Sequence, residues 1–165
     1  MATIESRRRD PRTVERFAAP PQPVTSLQAV LVDLIELHLQ GKQAHWNLVG
    51  TNFRDLHLQL DGIVDTAREA ADVIAERMRA LRAVPDGRSE TVAATTTLAA
   101  LPEGTLSTAD VVTMVTDRLA AAVMTLRGVH DTVDAADPSS ADLLHTIIDD
   151  LEKQAWMLSA ERCSS

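Results

Sequence analysis

Apolar residues recur at helical spacing along most of the chain. From Thr25 onward they fall at Leu27, Val30, Leu31, Leu34, Ile35 and Leu37, and continue to Ala44 and Leu48. That is the stripe of an amphipathic helix. Thr25-Ser26-Leu27-Gln28 reads as a capping box at its start, and Val49-Gly50 marks its end. Asn52-x-x-Asp55 predicts the start of a second helix running to about Val84, where Pro85-Asp86-Gly87 stops it. Ser107-x-x-Asp110 opens a third long helix that reaches Ala136. Asp137-Pro138 breaks it, and Ser139-x-x-Asp142 opens a fourth that runs to about Arg162. The connection from Pro85 to Leu106 has room for a short helix within Val92–Leu101.

These lengths predict a topology. Short links make the first and second helices antiparallel, and the third and fourth likewise. The connection between the second and third helices can span roughly 70 Å when extended, longer than a helix of about 28 residues at ~42 Å. It therefore returns along the bundle and leaves those two helices parallel. The fold class expected is all-α, a ferritin-like four-helix bundle with a long crossover, over residues 25–165. Residues 1–24 carry four prolines and little periodicity, and read as a flexible arm.

Composition supports helices and adds a charge asymmetry. Gly, Tyr and Phe are scarce, at 6, 0 and 2 residues. In the arm, Arg7, Arg8, Arg9, Arg12 and Arg16 stand against Glu5, Asp10 and Glu15, a net of +2. The total is −8, so the remainder carries −10. An acidic body repels membranes and nucleic acid and attracts cations. No apolar run approaches the ~20 residues of a membrane span, and the arm lacks the apolar stretch of a signal peptide. With Cys163 as the single cysteine, a reducing cytoplasm is the expected compartment.

Five residues offer ligand chemistry: His45, His57, Asp61, Asp72 and Glu76. The last four share one face of the second helix. Imidazole and carboxylate without thiolate suit iron or manganese better than a structural zinc. Asp61 and Asp72 are eleven residues apart, about 16 Å along a helix, so one metal cannot take both from the same helix. Either there are two half-sites, or a second chain completes each; a two-fold axis setting two such helices antiparallel joins His57 and Asp61 of one to Asp72 and Glu76 of the other. The Glu-x-x-His pairs of an intrachain di-iron bundle are missing from the sequence, which favours the shared site. Taken singly, His38, His130 and His145 read as ordinary packing or surface histidines.

At this point the chain resembles the Dps proteins, the dodecameric mini-ferritins of bacteria. The matching text is Lys42-Gln43-Ala44-His45-Trp46-Asn47, then Gly50-x-x-Phe53-x-x-x-His57-x-x-x-Asp61, then Asp72-x-Ile74-Ala75-Glu76-Arg77. The resemblance implies a hollow dodecamer built from dimers. It also implies a ferroxidase that oxidises Fe²⁺ with hydrogen peroxide, stores ferric mineral and protects against oxidative damage. Carried over, His45, His57 and Asp61 come from one chain. Asp72 and Glu76 come from its partner, with Glu76 bridging where two irons bind. Trp46 matches the family's tryptophan beside the centre, as an electron donor. Asp142, His145 and Asp149 share one face of the fourth helix with Asp150 adjacent, in the stretch that lines the family's three-fold pores. The arm arginines are candidate DNA contacts, and the alternative reading is a DNA-coating nucleoid protein with a minor iron role.

Overall fold

The computed structural model describes residues 21–161. Helix α1 spans Pro21–Asn47, α2 Phe53–Ala80, the short α3 Ser89–Thr95, α4 Thr108–Ala136 and α5 Pro138–Ala160. Two short strands, β1 (Leu48–Val49) and β2 (Leu106–Ser107), pair in parallel, Leu48 opposite Leu106 and Val49 opposite Ser107. That pairing fixes the topology. It ties the end of α1 to the start of α4, so the crossover must travel the bundle from the far end of α2. Helices α2 and α4 are therefore parallel, as expected. The four long helices pack as a square, α1 on α2 and α4, and α5 on α4 and α2. Leu27, Leu34, Leu60, Ile74, Leu119, Leu126, Leu144 and Leu151 are fully buried at its centre.

Polar groups strap the crossover to the bundle. Asp33 of α1 is 1 % exposed, and its carboxylate accepts from the hydroxyls of Thr96 (2.9 Å), Thr97 (2.6 Å) and Thr125 (2.7 Å) and from the Thr97 N–H (2.8 Å). Buried Arg118 donates to the carbonyls of Met114 and Ala100 and to the side chain of Gln40. Gln28 pairs with the backbone of Asp86 in both directions, at 2.8 and 2.9 Å. A buried charge without such donors would be strongly destabilising.

Helix ends differ from expectation in four places. Thr25 lies inside α1, which is already helical at Pro21, and Gln28 serves the Asp86 backbone rather than a capping box. Prolines at 21 and 23 fit a first turn, whose N–H groups need no intrahelical partner. Asn52 precedes α2 in the left-handed region (φ 63°) and makes no side-chain cap; its amide donates to Glu161 instead, at 2.9 Å. Helix α2 stops at Ala80, ahead of the proline. Arg82 turns left-handed (φ 66°), so the Ala83 N–H reaches the Met78 carbonyl and the Arg82 N–H that of Arg79, a Schellman closure. Helix α5 opens on Pro138 after Asp137 rather than on a Ser139 cap. Only Ser107 caps as read, accepting from the Asp110 N–H at 3.1 Å while donating to its carboxylate at 2.7 Å.

Candidate metal centre

The corner between α1 and α2 places the histidines. His45 sits in the last turn of α1 and is 7 % exposed; His57 and Asp61 lie in the first three turns of α2. Gly50 makes the corner possible, since its φ of 129° is open to glycine and a Cβ there would come within 3.1 Å of the Thr108 hydroxyl.

The two rings stack, with centroids 3.5 Å apart and planes at 26°. Nδ1 of His45 bonds the carbonyl of His57 at 3.0 Å, and Nδ1 of His57 bonds the carbonyl of His45 at 3.1 Å. A carbonyl only accepts, so each Nδ1 carries the proton and each Nε2 keeps its lone pair. Nε2 is then the nitrogen left open to a metal ion. One donor atom from each of His45, His57 and Asp61 lies within 4.8 Å of the other two. Phe53 flanks His57 with its ring centroid 5.1 Å away.

Lys42, one turn before His45 on α1, holds Asp61. Its ammonium donates to Oδ1 at 2.5 Å, and Nδ1 of His45 lies 3.2 Å from the same oxygen. The Lys42 hydrogen bond, against an opposing push from burial, keeps the Asp61 carboxyl below its ordinary range. Asp61 is therefore ionised, with Oδ1 engaged by the Lys42 ammonium.

The other two predicted ligands stay apart. Asp72 and Glu76 are exposed, farther along α2. Asp72 borders a concavity of about 550 Å³ shared with Leu31, Ile35, Asp65, Arg68 and Glu69. One chain thus assembles three of the five ligands and leaves two out of reach. Trp46 and Trp156 are 67 % and 68 % exposed, more than an aromatic indole holds in an isolated core. Asp142, His145, Asp149 and Asp150 are exposed along α5. The arm arginines and Cys163 lie outside the described residues. Sequence reading missed one feature. His130, read as an ordinary histidine, faces His145 in a tilted ring contact with centroids 4.3 Å apart; no local spacing connects residues on different helices.

Residues 24–162 match the family model of the ferritin-like domain. The chain is 34 % identical to DNA protection during starvation protein 2 of Deinococcus radiodurans over 83 % of its own length and 57 % of that relative. It is also 34 % identical to the DNA protection during starvation protein of Agrobacterium fabrum, covering 81 % of this chain and 83 % of that one. The chain belongs to the Dps family. Among solved structures it superposes on Dps from Microbacterium arborescens in the high iron form with a TM-score of 0.82, at 32 % identity over 89 % of this chain and 99 % of that one. The corner carrying His45, His57 and Asp61 is accordingly part of a Dps fold. Among the described residues of this Dps chain no helix is long and apolar enough to cross a membrane.

Proposed function

We propose that this chain is the subunit of a ferroxidase and iron-storage cage. Two copies pair about a two-fold axis, and His45, His57 and Asp61 of one chain meet Asp72 and Glu76 of the other around Fe²⁺. The observation that carries this is the reciprocal histidine lock, which leaves two Nε2 lone pairs and Asp61 as an incomplete nitrogen-and-oxygen donor set. Such a set suits iron. Two Fe²⁺ surrender one electron each, and hydrogen peroxide takes both with two protons to leave two waters. Delivering the electrons as a pair limits hydroxyl radical. Glu76 bridges the irons and Trp46, beside His45, supplies an electron if only one iron is oxidised. The ferric product collects inside a dodecamer built from such dimers, in the cytoplasm, where it protects against oxidative damage.

Iron reaches the interior past Asp142, His145, Asp149 and Asp150, and the three aspartate carboxylates concentrate cations in a narrow mouth. The relative from Microbacterium, described in its high iron form, supports iron as the cargo.

Light scattering before and after anaerobic ferrous loading and peroxide addition tests the reading. The expected result is a large particle that gains mass and turns ferric. A particle that binds no iron sinks it. The relatives' names favour a second reading, a DNA-coating protein that uses Arg7, Arg8, Arg9, Arg12 and Arg16 to neutralise phosphate. Equal gel mobility of DNA with the full chain and with a chain lacking residues 1–22 rejects the arm as its determinant.

A further inference from the structure

Four of the five histidines form two close ring pairs, one stacked and one tilted, and the second pair resembles the first in plan. His45 and His57 join α1 to α2, with planes at 26°; His130 and His145 join α4 to α5, with planes at 31°. Each pair has a carboxylate one turn beyond its second histidine, in His57-x-x-x-Asp61 and in His145-x-x-x-Asp149. His130 repeats the proton placement of the first pair. Nδ1 of His130 lies 3.1 Å from the Asp131 carboxylate, which accepts, so this nitrogen carries the proton and Nε2 keeps its lone pair.

That Nε2 is buried and meets no hydrogen-bond partner. A buried acceptor left unmatched calls for a reason, and a cation held against the facing ring supplies one. Two imidazoles with a carboxylate select a borderline divalent ion such as Zn²⁺, Co²⁺ or Ni²⁺ over Mg²⁺ or Ca²⁺. The nearest basic side chain on α4, Arg127, is already paired with Glu152 of α5 and brings no uncompensated positive charge. Asp142 and Asp149 flank His145 by one turn on either side; both are exposed, and neither is ion-paired among the described residues.

We propose that His130 and His145 form a second divalent-cation site of imidazole-and-carboxylate chemistry, completed by Asp149 or Asp142. Unlike the first centre, the third ligand is not gathered beforehand: among the described residues only His45, His57 and Asp61 bring three donors within 4.8 Å. An exposed aspartate has to swing in when the ion arrives. The site shares His145, Asp142 and Asp149 with the proposed pore, but it does not depend on iron oxidation at the first centre.

The test is an anaerobic Co²⁺ titration of the full-length assembled protein, followed by calorimetry and by visible absorption of the bound ion. In a His45→Ala/His57→Ala background, about one Co²⁺ per chain is expected to remain bound. Both His130→Gln and His145→Gln in that background should weaken it at least tenfold. His145 is exposed, so its substitution spares the core. If the background variant assembles poorly, the same comparison in the unaltered chain should show a loss of about one Co²⁺ per chain. Absence of Co²⁺ from the background variant, or tenfold weakening in fewer than both glutamine variants, overturns the proposal.

Discussion

The imidazoles of His45 and His57 each hydrogen-bond the backbone carbonyl of the other, at 3.0 and 3.1 Å across the α1–α2 corner. The ring orientations are thus set by two main chains, with the Asp61 carboxylate 3.2 Å from Nδ1 of His45 as a further acceptor. This predicts the Nδ1–H tautomer for both rings in the metal-free protein. Long-range ¹H–¹⁵N spectra of histidine-labelled protein near neutral pH should show it. An Nε2–H tautomer at either residue would contradict the geometry.

Lys42 and Asp61 give a second prediction. The lysine engages Oδ1 of a predicted ligand, at 2.5 Å, and competes with an ion for that carboxylate. Both side chains are well exposed, 34 % and 40 %, so the pair contributes at most about 1 kcal/mol, near a fivefold change in affinity. Lys42→Met should therefore tighten anaerobic Fe²⁺ or Co²⁺ binding, by up to about fivefold. Weaker binding would mean that the lysine supports the site.

A third concerns acid stability. Burial raises the Asp137 carboxyl, but hydrogen bonds from Ser140 and Arg77, with the Arg77 charge, outweigh it and hold the group below its ordinary range. A depressed carboxylate stabilises the fold above its unfolded value of about 3.9, and that stability is lost as pH falls through the lower folded value. Arg77→Met removes a charged hydrogen bond, worth roughly 1.5–3 kcal/mol. It should lower the denaturation midpoint near neutral pH and flatten its fall below pH 4. An unchanged midpoint would show that Arg77 does not hold the corner between α4 and α5.

Much of this was legible in the sequence, and what escaped it is long-range. Ser107 and Asp110 are neighbours, so their box reads directly. The end of α4 at Ala136 was marked by Asp137-Pro138. The ligand pattern on α2 is also local, since His57, Asp61, Asp72 and Glu76 share one helix. Gln28 and Asn52, by contrast, look like capping residues yet bond Asp86 and Glu161, partners 58 and 109 positions away. The left-handed turn at Arg82 escaped because glycine or asparagine usually takes that conformation. The Asp33 threonine cage and the His130–His145 ring contact join separate elements, and no periodicity announces them.

The proposed pore makes a fourth prediction. Asp142→Asn keeps the side chain's shape and removes its charge at an exposed position on α5. The cage should assemble, and stopped-flow oxidation should slow at low ferrous concentration and recover as iron is raised. A rate unchanged across the range would place iron uptake elsewhere.

The central claim is that two chains build one oxidising centre, and mixed assemblies test it most directly. One chain carries His45→Ala and His57→Ala; the other carries Asp72→Asn and Glu76→Gln. Neither has a whole centre in its own homodimer. In a mixed dimer, one of the two centres joins intact histidines and Asp61 to intact Asp72 and Glu76. Peroxide-dependent Fe²⁺ oxidation by verified mixed dimers should return to roughly half the unaltered rate per dimer, well above either homodimer. Mixed dimers no faster than the two homodimers would contradict the shared centre.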